Sequence, residues 1–152
     1  MIKIAFVCLG NICRSPMAEF LMKDIVKKEN LEKNFKIDSY ATSSYEIGNP
    51  IYPMAKQTLI KYNITDGIDY KKAMKLKSTH YDEYDLFIVM SNEIKEDTIN
   101  IFGSDYDNKV HLLLEYTGEN RDILDPYYTR DFEKAYLDIK NGTKALFEKL
   151  KK

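Results

Sequence analysis

Apolar residues gather along this chain in short unbroken runs separated by longer amphipathic stretches, and that alternation already predicts an architecture. Residues 3–9, which include Ala5-Phe6-Val7-Cys8-Leu9, form a β-branched-rich run stopped by Gly10 and Asn11, as expected of a strand covered on both faces. Pro16 then fits the first turn of a helix with Ser15 as its N-cap, and Met17, Phe20, Leu21, Ile25 and Leu31 carry a helical stripe. Residues 35–42 read as a second strand, followed by a polar connector through Asn49-Pro50 and a helix from Pro53 to about Tyr62. Leu86-Phe87-Ile88-Val89-Met90 is the clearest central strand, and residues 92–102 after it have helical spacing with Gly103 as the stop. Residues 110–114 make a fourth short strand, and residues 131–151 a long amphipathic helix with Phe132, Tyr136, Ile139 and Leu146 among the residues on or near one face.

Four strands alternating with helices imply an α/β, three-layer fold, a four-stranded parallel sheet flanked by helices on both faces, with ligands bound beyond the carboxyl ends of the strands. The turn after the first strand, residues 8–15, lies at such an end. There are no repeats and no linker; residues 104–108 and 117–126 read as loops inside one domain spanning 1–152.

Composition narrows the function without naming it. An apolar share of 44% and a net charge of -1 fit one globular domain and indicate neither disorder nor a nucleic-acid partner. No run approaches the roughly eighteen apolar residues of a membrane span, and the first apolar run is too short for a signal segment, so the cytoplasm is the expected location and no membrane partner is expected. Two cysteines in a reducing compartment do not make a disulfide scaffold, and no further ligands are spaced around them as zinc requires. A nucleophilic or redox role stays open. His80 and His111 have no motif context and read as structural or surface residues.

Both cysteines fall in the turn Cys8-Leu9-Gly10-Asn11-Ile12-Cys13-Arg14-Ser15. If Gly10 and Asn11 take the left-handed conformations they tolerate, the backbone N–H groups of the turn curve towards one point, and the helix dipole beginning near Ser15 aims there too. That is an anion cradle, and the glycine patterns of nucleotide loops are absent. A thiol at Cys8, among those donors and beside Arg14, is favoured as thiolate and becomes a nucleophile at neutral pH. Arg14 has the planar fork to hold two oxygens of a phosphoryl group. Taken singly, a buried inert cysteine and a surface arginine are the commoner readings; the combination in register between strand and helix argues for a site. Thiolate attack on a phosphate ester needs an acid for the leaving oxygen, and Asp125 in Leu124-Asp125-Pro126-Tyr127-Tyr128 offers one, with aromatic walls beside it. The residues alone leave open whether that loop reaches Cys8 or is a solvated turn.

With VCLGNICRSPMAE near the start, ATSSYEIGNP at 41–50 and DPYY near the end, the chain resembles the low-molecular-weight protein tyrosine phosphatases essentially end to end. The resemblance implies hydrolysis of phosphotyrosine in proteins through a cysteinyl-phosphate, with inorganic phosphate as product and no metal or organic cofactor; a monomer is expected. It implies Cys8 as nucleophile, Arg14 as phosphate clamp and Asp125 as general acid and then base. Leu9 and Gly10 would complete the phosphate loop, Asn11 would hold its shape, and Ser15 would donate a hydrogen bond to the thiolate. Ile12, Tyr45 and Tyr127 would line the cleft around the aromatic ring. Cys13 resembles the family's second cysteine, which forms a reversible disulfide with the nucleophile.

The chain departs from the family pattern twice. Where H-x-A-R is common it has Lys71-Lys72-Ala73-Met74, so the histidine that braces the loop serines, the position of Ser39 included, is absent. Where M-D-x-x-N is common it has Met90-Ser91-Asn92-Glu93-Ile94. Among rivals, arsenate reductases of related fold need downstream cysteines that are missing here. Protein arginine phosphatases of the same family tend to have threonine where this chain has Ile12, and they are the enzymatic alternative. From another class come a non-catalytic phosphotyrosine-binding module, kept as an alternative, and a phosphocarrier; Arg14 together with Asp125 argues against both, since a binder needs no general acid and a carrier should avoid promoting hydrolysis.

Overall fold

A computed structural model describes residues 1–151. Four parallel strands, β1 (Ile2–Cys8), β2 (Phe35–Ala41), β3 (Leu86–Val89) and β4 (Val110–Leu112), lie in the order β2-β1-β3-β4. Strands β1 and β3, the most apolar of the four, are central and paired on both sides, with Cys8 of β1 opposite Ala41 and Val7 opposite Val89. Period-two alternation splits the side chains of β1 between two cores. Ile4, Phe6 and Cys8 face the layer formed by α1 (Arg14–Lys28), α2 (Pro53–Lys61) and α5 (Phe132–Leu150), while Ala5 and Val7 face Phe87, Val110 and Ile94 beneath α3 (Asn92–Phe102). The expected three layers are present, and the carboxyl ends of β1, β2 and β3 open on one side, where the connecting loops meet.

The helix caps follow the sequence in part. Asp131 caps α5, accepting from Lys134 N–H, and Gly103 ends α3 with φ of 85°. Ser15 does not cap α1. The helix begins one residue earlier, at Arg14, and Ser15 lies inside its first turn because its hydroxyl is engaged by Cys8 and Asn11. The fourth strand is also shorter than expected: Leu113 and Leu114 leave the sheet in a 3-10 turn, Leu113–Thr117, that packs under α5. A second 3-10 turn, Ser78–Glu83, leads into β3 and has no apolar periodicity to announce it. Within the loop expected at 117–126, Pro126 opens a one-turn helix, α4 (Pro126–Thr129).

The contact between α5 and the Leu113 turn fixes Gly142. A Cβ there would sit 2.5 Å from Leu113 Cγ, far inside van der Waals contact. Alanine in a helix interior ordinarily gains about 1 kcal/mol over glycine, whereas overpacking costs about 1–3 kcal/mol, so Gly142→Ala is expected to be net destabilising by up to about 2 kcal/mol. Urea unfolding checks this; a raised midpoint would mean that Leu113 moves aside freely.

Candidate active site

The site grows from the end of β1. Pairing with Ala41 of β2 pins Cys8, one residue beyond the last β1–β3 pair at Val7, and the chain then turns through residues 9–13 before α1 starts. Asn11 provides the reversal with a left-handed backbone, φ 60°. Gly10 does not share it, contrary to the expectation from its type; its lack of a side chain answers a close approach instead, since a Cβ there would lie 3.3 Å from Glu46 Cγ. The turn directs Asn11 N–H at Cys8 Sγ, 3.3 Å away, and Ser15 Oγ lies 3.0 Å from the same sulfur. Asn11 Nδ2 donates to Ser15 Oγ at 2.8 Å, which leaves the serine's own hydrogen free for the sulfur. The α1 N-terminus adds its partial positive charge at this point.

Arg14, almost fully buried, reaches across to the loop after β4. Its Nη1 donates to the Ile123 carbonyl at 2.9 Å and its Nη2 lies 3.4 Å from Asp125 Oδ2. Two of its five N–H groups are accounted for by these partners, so others remain for an anion. Asp125 Oδ1 accepts from Tyr127 N–H at 3.0 Å, capping α4, so the Asp-Pro turn holds the carboxylate in one orientation. The loop itself is tied down at Ile123, whose N–H donates to the Met90 carbonyl at 2.8 Å, and at Asp122, which accepts from Asn92 N–H at 2.8 Å and from its amide at 3.1 Å. The segment 90–94, which departs from the family pattern, thus anchors the acid loop and caps α3 through Ser91.

These elements enclose one cleft. Cys8, Leu9, Gly10, Ile12, Cys13 and Arg14 form its floor. Tyr45 stands on one wall with Ser43 and Glu46; Asp125, Tyr127 and Tyr128 stand on the other. Asn11 and Ser15 do not line the cleft: both are buried behind the floor and act on it through hydrogen bonds. The loop 41–50 is stitched to the floor by Thr42 N–H to the Cys8 carbonyl and by Ser43, whose N–H and hydroxyl both donate to the Leu9 carbonyl. Both cysteines are free thiols. Burial pushes the Cys13 thiol strongly up, and the neighbouring Cys8 and Asp125 push it further, so Cys13 is neutral at ordinary pH. His80 packs on Tyr40, and His111 lies against Asn108 and Glu115, both apart from the cleft as expected.

Sequence reasoning missed the support behind the loop. Asn11 Nδ2 also donates to Ser39 Oγ at 2.9 Å, and Ser39 in turn donates to the buried carboxylate of Glu19 at 2.6 Å. Lys71, at the first position of the altered motif, donates to the Ser39 carbonyl at 2.9 Å and lies 3.5 Å from Glu19. The serine that lacks the expected histidine is therefore braced by an ion pair. Only the position of Lys71 in the altered segment could have pointed to this. Glu46 and Ser43 were also missed, and neither stands in a motif that signals a cleft wall.

Residues 3–152 match the family model described as low molecular weight phosphotyrosine protein phosphatase. The low molecular weight protein-tyrosine-phosphatase YfkJ of Bacillus subtilis is 34% identical over all of this chain and 97% of its own length. The crystal structure of YfkJ superposes with a TM-score of 0.95, covering 99% of this chain and 95% of that one. The low molecular weight protein-tyrosine-phosphatase PtpA of Staphylococcus aureus is 36% identical over 90% of this chain and 85% of its own. The YwlE arginine phosphatase is also similar, at a TM-score of 0.87 and 30% identity over 99% of this chain and 97% of that chain.

Proposed function

This chain belongs to the low molecular weight phosphotyrosine protein phosphatase family and is a phosphoric monoester hydrolase, and from that premise we propose that it hydrolyses phosphotyrosine in proteins through a cysteinyl-phosphate on Cys8. The observation that carries this reading is the meeting, in one cleft, of a sulfur supplied with hydrogen bonds, a guanidinium and a carboxyl group drawn from opposite ends of the chain.

The chemistry runs in two displacements. Arg14 and the loop N–H groups hold the phosphoryl oxygens while the Cys8 thiolate attacks phosphorus; the P–S bond forms and the P–O ester bond breaks. Protonated Asp125 gives its proton to the departing phenolate oxygen. Asp125, now a carboxylate, takes a proton from water as that water attacks phosphorus. The P–S bond breaks, inorganic phosphate leaves, and the Ser15 hydroxyl stabilises the returning thiolate. The whole chain, 1–152, acts as one phosphatase domain in this scheme, as a monomer. Cytoplasmic phosphotyrosine proteins are the substrates; among the described residues no helix is long and apolar enough to cross a membrane.

Substrate choice rests on the walls. Ile12 on the floor and Tyr45 and Tyr127 at the rim present apolar surface to an aryl ring, contacts that the short phosphoserine side chain would not make. The likeness to the YwlE arginine phosphatase keeps phosphoarginine as the second reading. Phosphate release from phosphotyrosine, phosphoserine and phosphoarginine substrates under reducing conditions decides between them: phosphotyrosine is expected to be preferred by about tenfold or more, the discrimination of a pocket matched to one side chain. Preference for phosphoarginine would overturn the reading of Ile12. Cys13, on the same floor, is the partner we assign for a reversible disulfide: peroxide oxidises the Cys8 thiolate to a sulfenic acid, and the Cys13 sulfur displaces water from it.

A further inference from the structure

Asn11 carries the strained backbone of the phosphate loop, and a left-handed non-glycine residue persists only where its surroundings hold it. Its side chain uses every hydrogen-bonding group to that end. Oδ1 accepts from Met74 N–H at 3.0 Å, and the two Nδ2 hydrogens go to Ser15 Oγ and Ser39 Oγ. Ser39 has one hydrogen, and Glu19, as a carboxylate, can only accept it. The lone pairs of Ser39 are thereby turned towards Asn11. The Glu19 carboxylate thus sets the direction of the Ser39 bond, and Met74 N–H, which needs an acceptor, sets which end of the Asn11 amide faces the two serines.

That charge is buried. Glu19 is 4% exposed, and an ionised carboxylate at such a site needs a partner. Lys23 reaches it at 2.6 Å from the next turn of α1, but its side chain is 43% exposed and solvent screens it. Lys71 is the buried partner, 8% exposed, and it holds both the carboxylate and the Ser39 carbonyl. Burial draws the Lys71 ammonium below its ordinary range, while Glu19 and, more weakly, Asp38 of β2 pull it back. The charged groups bearing on Lys71 are therefore Glu19 and Lys23 from α1 and Asp38 from β2.

We propose that Lys71 is a positioning residue for phosphoryl transfer: its buried ammonium pairs with the Glu19 carboxylate and holds the Ser39 carbonyl, and so keeps Asn11 with its N–H aimed at the Cys8 sulfur. This rests on the reading of Cys8 as the nucleophile. Lys71 touches neither substrate nor the reacting atoms, and nothing in the two displacements uses it. It stands at the sequence position where the family resemblance leads one to expect histidine, so the brace here is an ion pair.

Two readouts on Lys71→Met, Lys71→Arg and Glu19→Gln test the proposal. One is the pH dependence of Cys8 alkylation by iodoacetamide, followed by mass spectrometry; the other is kcat and KM on a phosphotyrosine peptide. Lys71→Met is expected to move the alkylation curve up by about one pH unit and to lower kcat about tenfold, with KM changed less than about threefold, as for a lost interaction that orients the nucleophile. Lys71→Arg keeps the charge and is expected to recover most of both effects. A folded Lys71→Met protein with the native alkylation curve and kcat would overturn the proposal. If Lys71→Met does not fold, Glu19→Gln, nearly isosteric, carries the same expectation and the same contrary outcome. Failure of the native protein to hydrolyse phosphotyrosine would instead count against the proposed function, since alkylation reads the brace without substrate.

Discussion

Cys8→Ser is expected to lower phosphotyrosine turnover by at least about 10⁴-fold while leaving the fold and phosphopeptide binding in place, because the hydroxyl that replaces the thiol is a far weaker nucleophile at neutral pH. The substitution changes one atom at a residue held by pairing with Ala41 of β2 at the end of β1. The partners of the sulfur, Asn11 N–H and Ser15 Oγ, suit an oxygen as well. Arg14 and the loop backbone, which hold the phosphoryl group in the proposed reaction, are untouched. Phosphate release measured beside peptide affinity separates the alternatives. Lost turnover with retained binding supports a covalent mechanism; turnover within tenfold of native would mean that another group attacks phosphorus, and the catalytic assignment would fall.

The second large effect is expected at Asp125. Asp125→Asn keeps the acceptor for Tyr127 N–H, so the α4 cap survives, but the amide cannot donate and recover a proton as a carboxyl group does. Loss of a general acid costs about 10²–10⁴-fold, here in kcat. The size of the loss should depend on the leaving group: an aryl phosphate with an acidic phenol, whose oxygen departs without help, should lose least. A uniform loss across leaving groups would show that the substitution acts through the Arg14–Asp125 contact rather than through proton transfer. That contact is part-buried and spans 111 positions of sequence, so it also helps to hold the acid loop over the cleft.

The two predictions differ in how far the sequence could support them. Cys8, Arg14 and the loop between them are local: a strand stop, a left-handed-tolerant asparagine and a helix start lie within eight residues, and short-range geometry places them together. The apolar runs of β1 and β3 were equally legible, because a strand covered on both faces must be apolar along its whole length. The short β4 was not, since Leu113 and Leu114 are apolar for packing under α5 rather than for the sheet, and apolarity alone does not distinguish the two uses. The Ser15 cap failed for a related reason. A serine before a proline resembles a cap until its hydroxyl finds a better partner, and here the sulfur and the Asn11 amide are nearer.

The sequence by itself determined the layered α/β plan, the loop that carries Cys8 and Arg14, and the family resemblance that those motifs carry. Tertiary structure decided what stands around that loop. The acid reaches the clamp because the loop leaving β4 is tied to Met90 and Asn92. The brace forms because parallel pairing sets Ser39 of β2 opposite Phe6 of β1, bringing Glu19 and Lys71, 20 and 32 residues away along the chain, to the same buried hydroxyl and carbonyl. Hydrogen bonds and ion pairs act over a few ångströms of space and take no account of sequence separation. What lies within a single turn can be read from residue order; what meets across a sheet is known only once the sheet has formed.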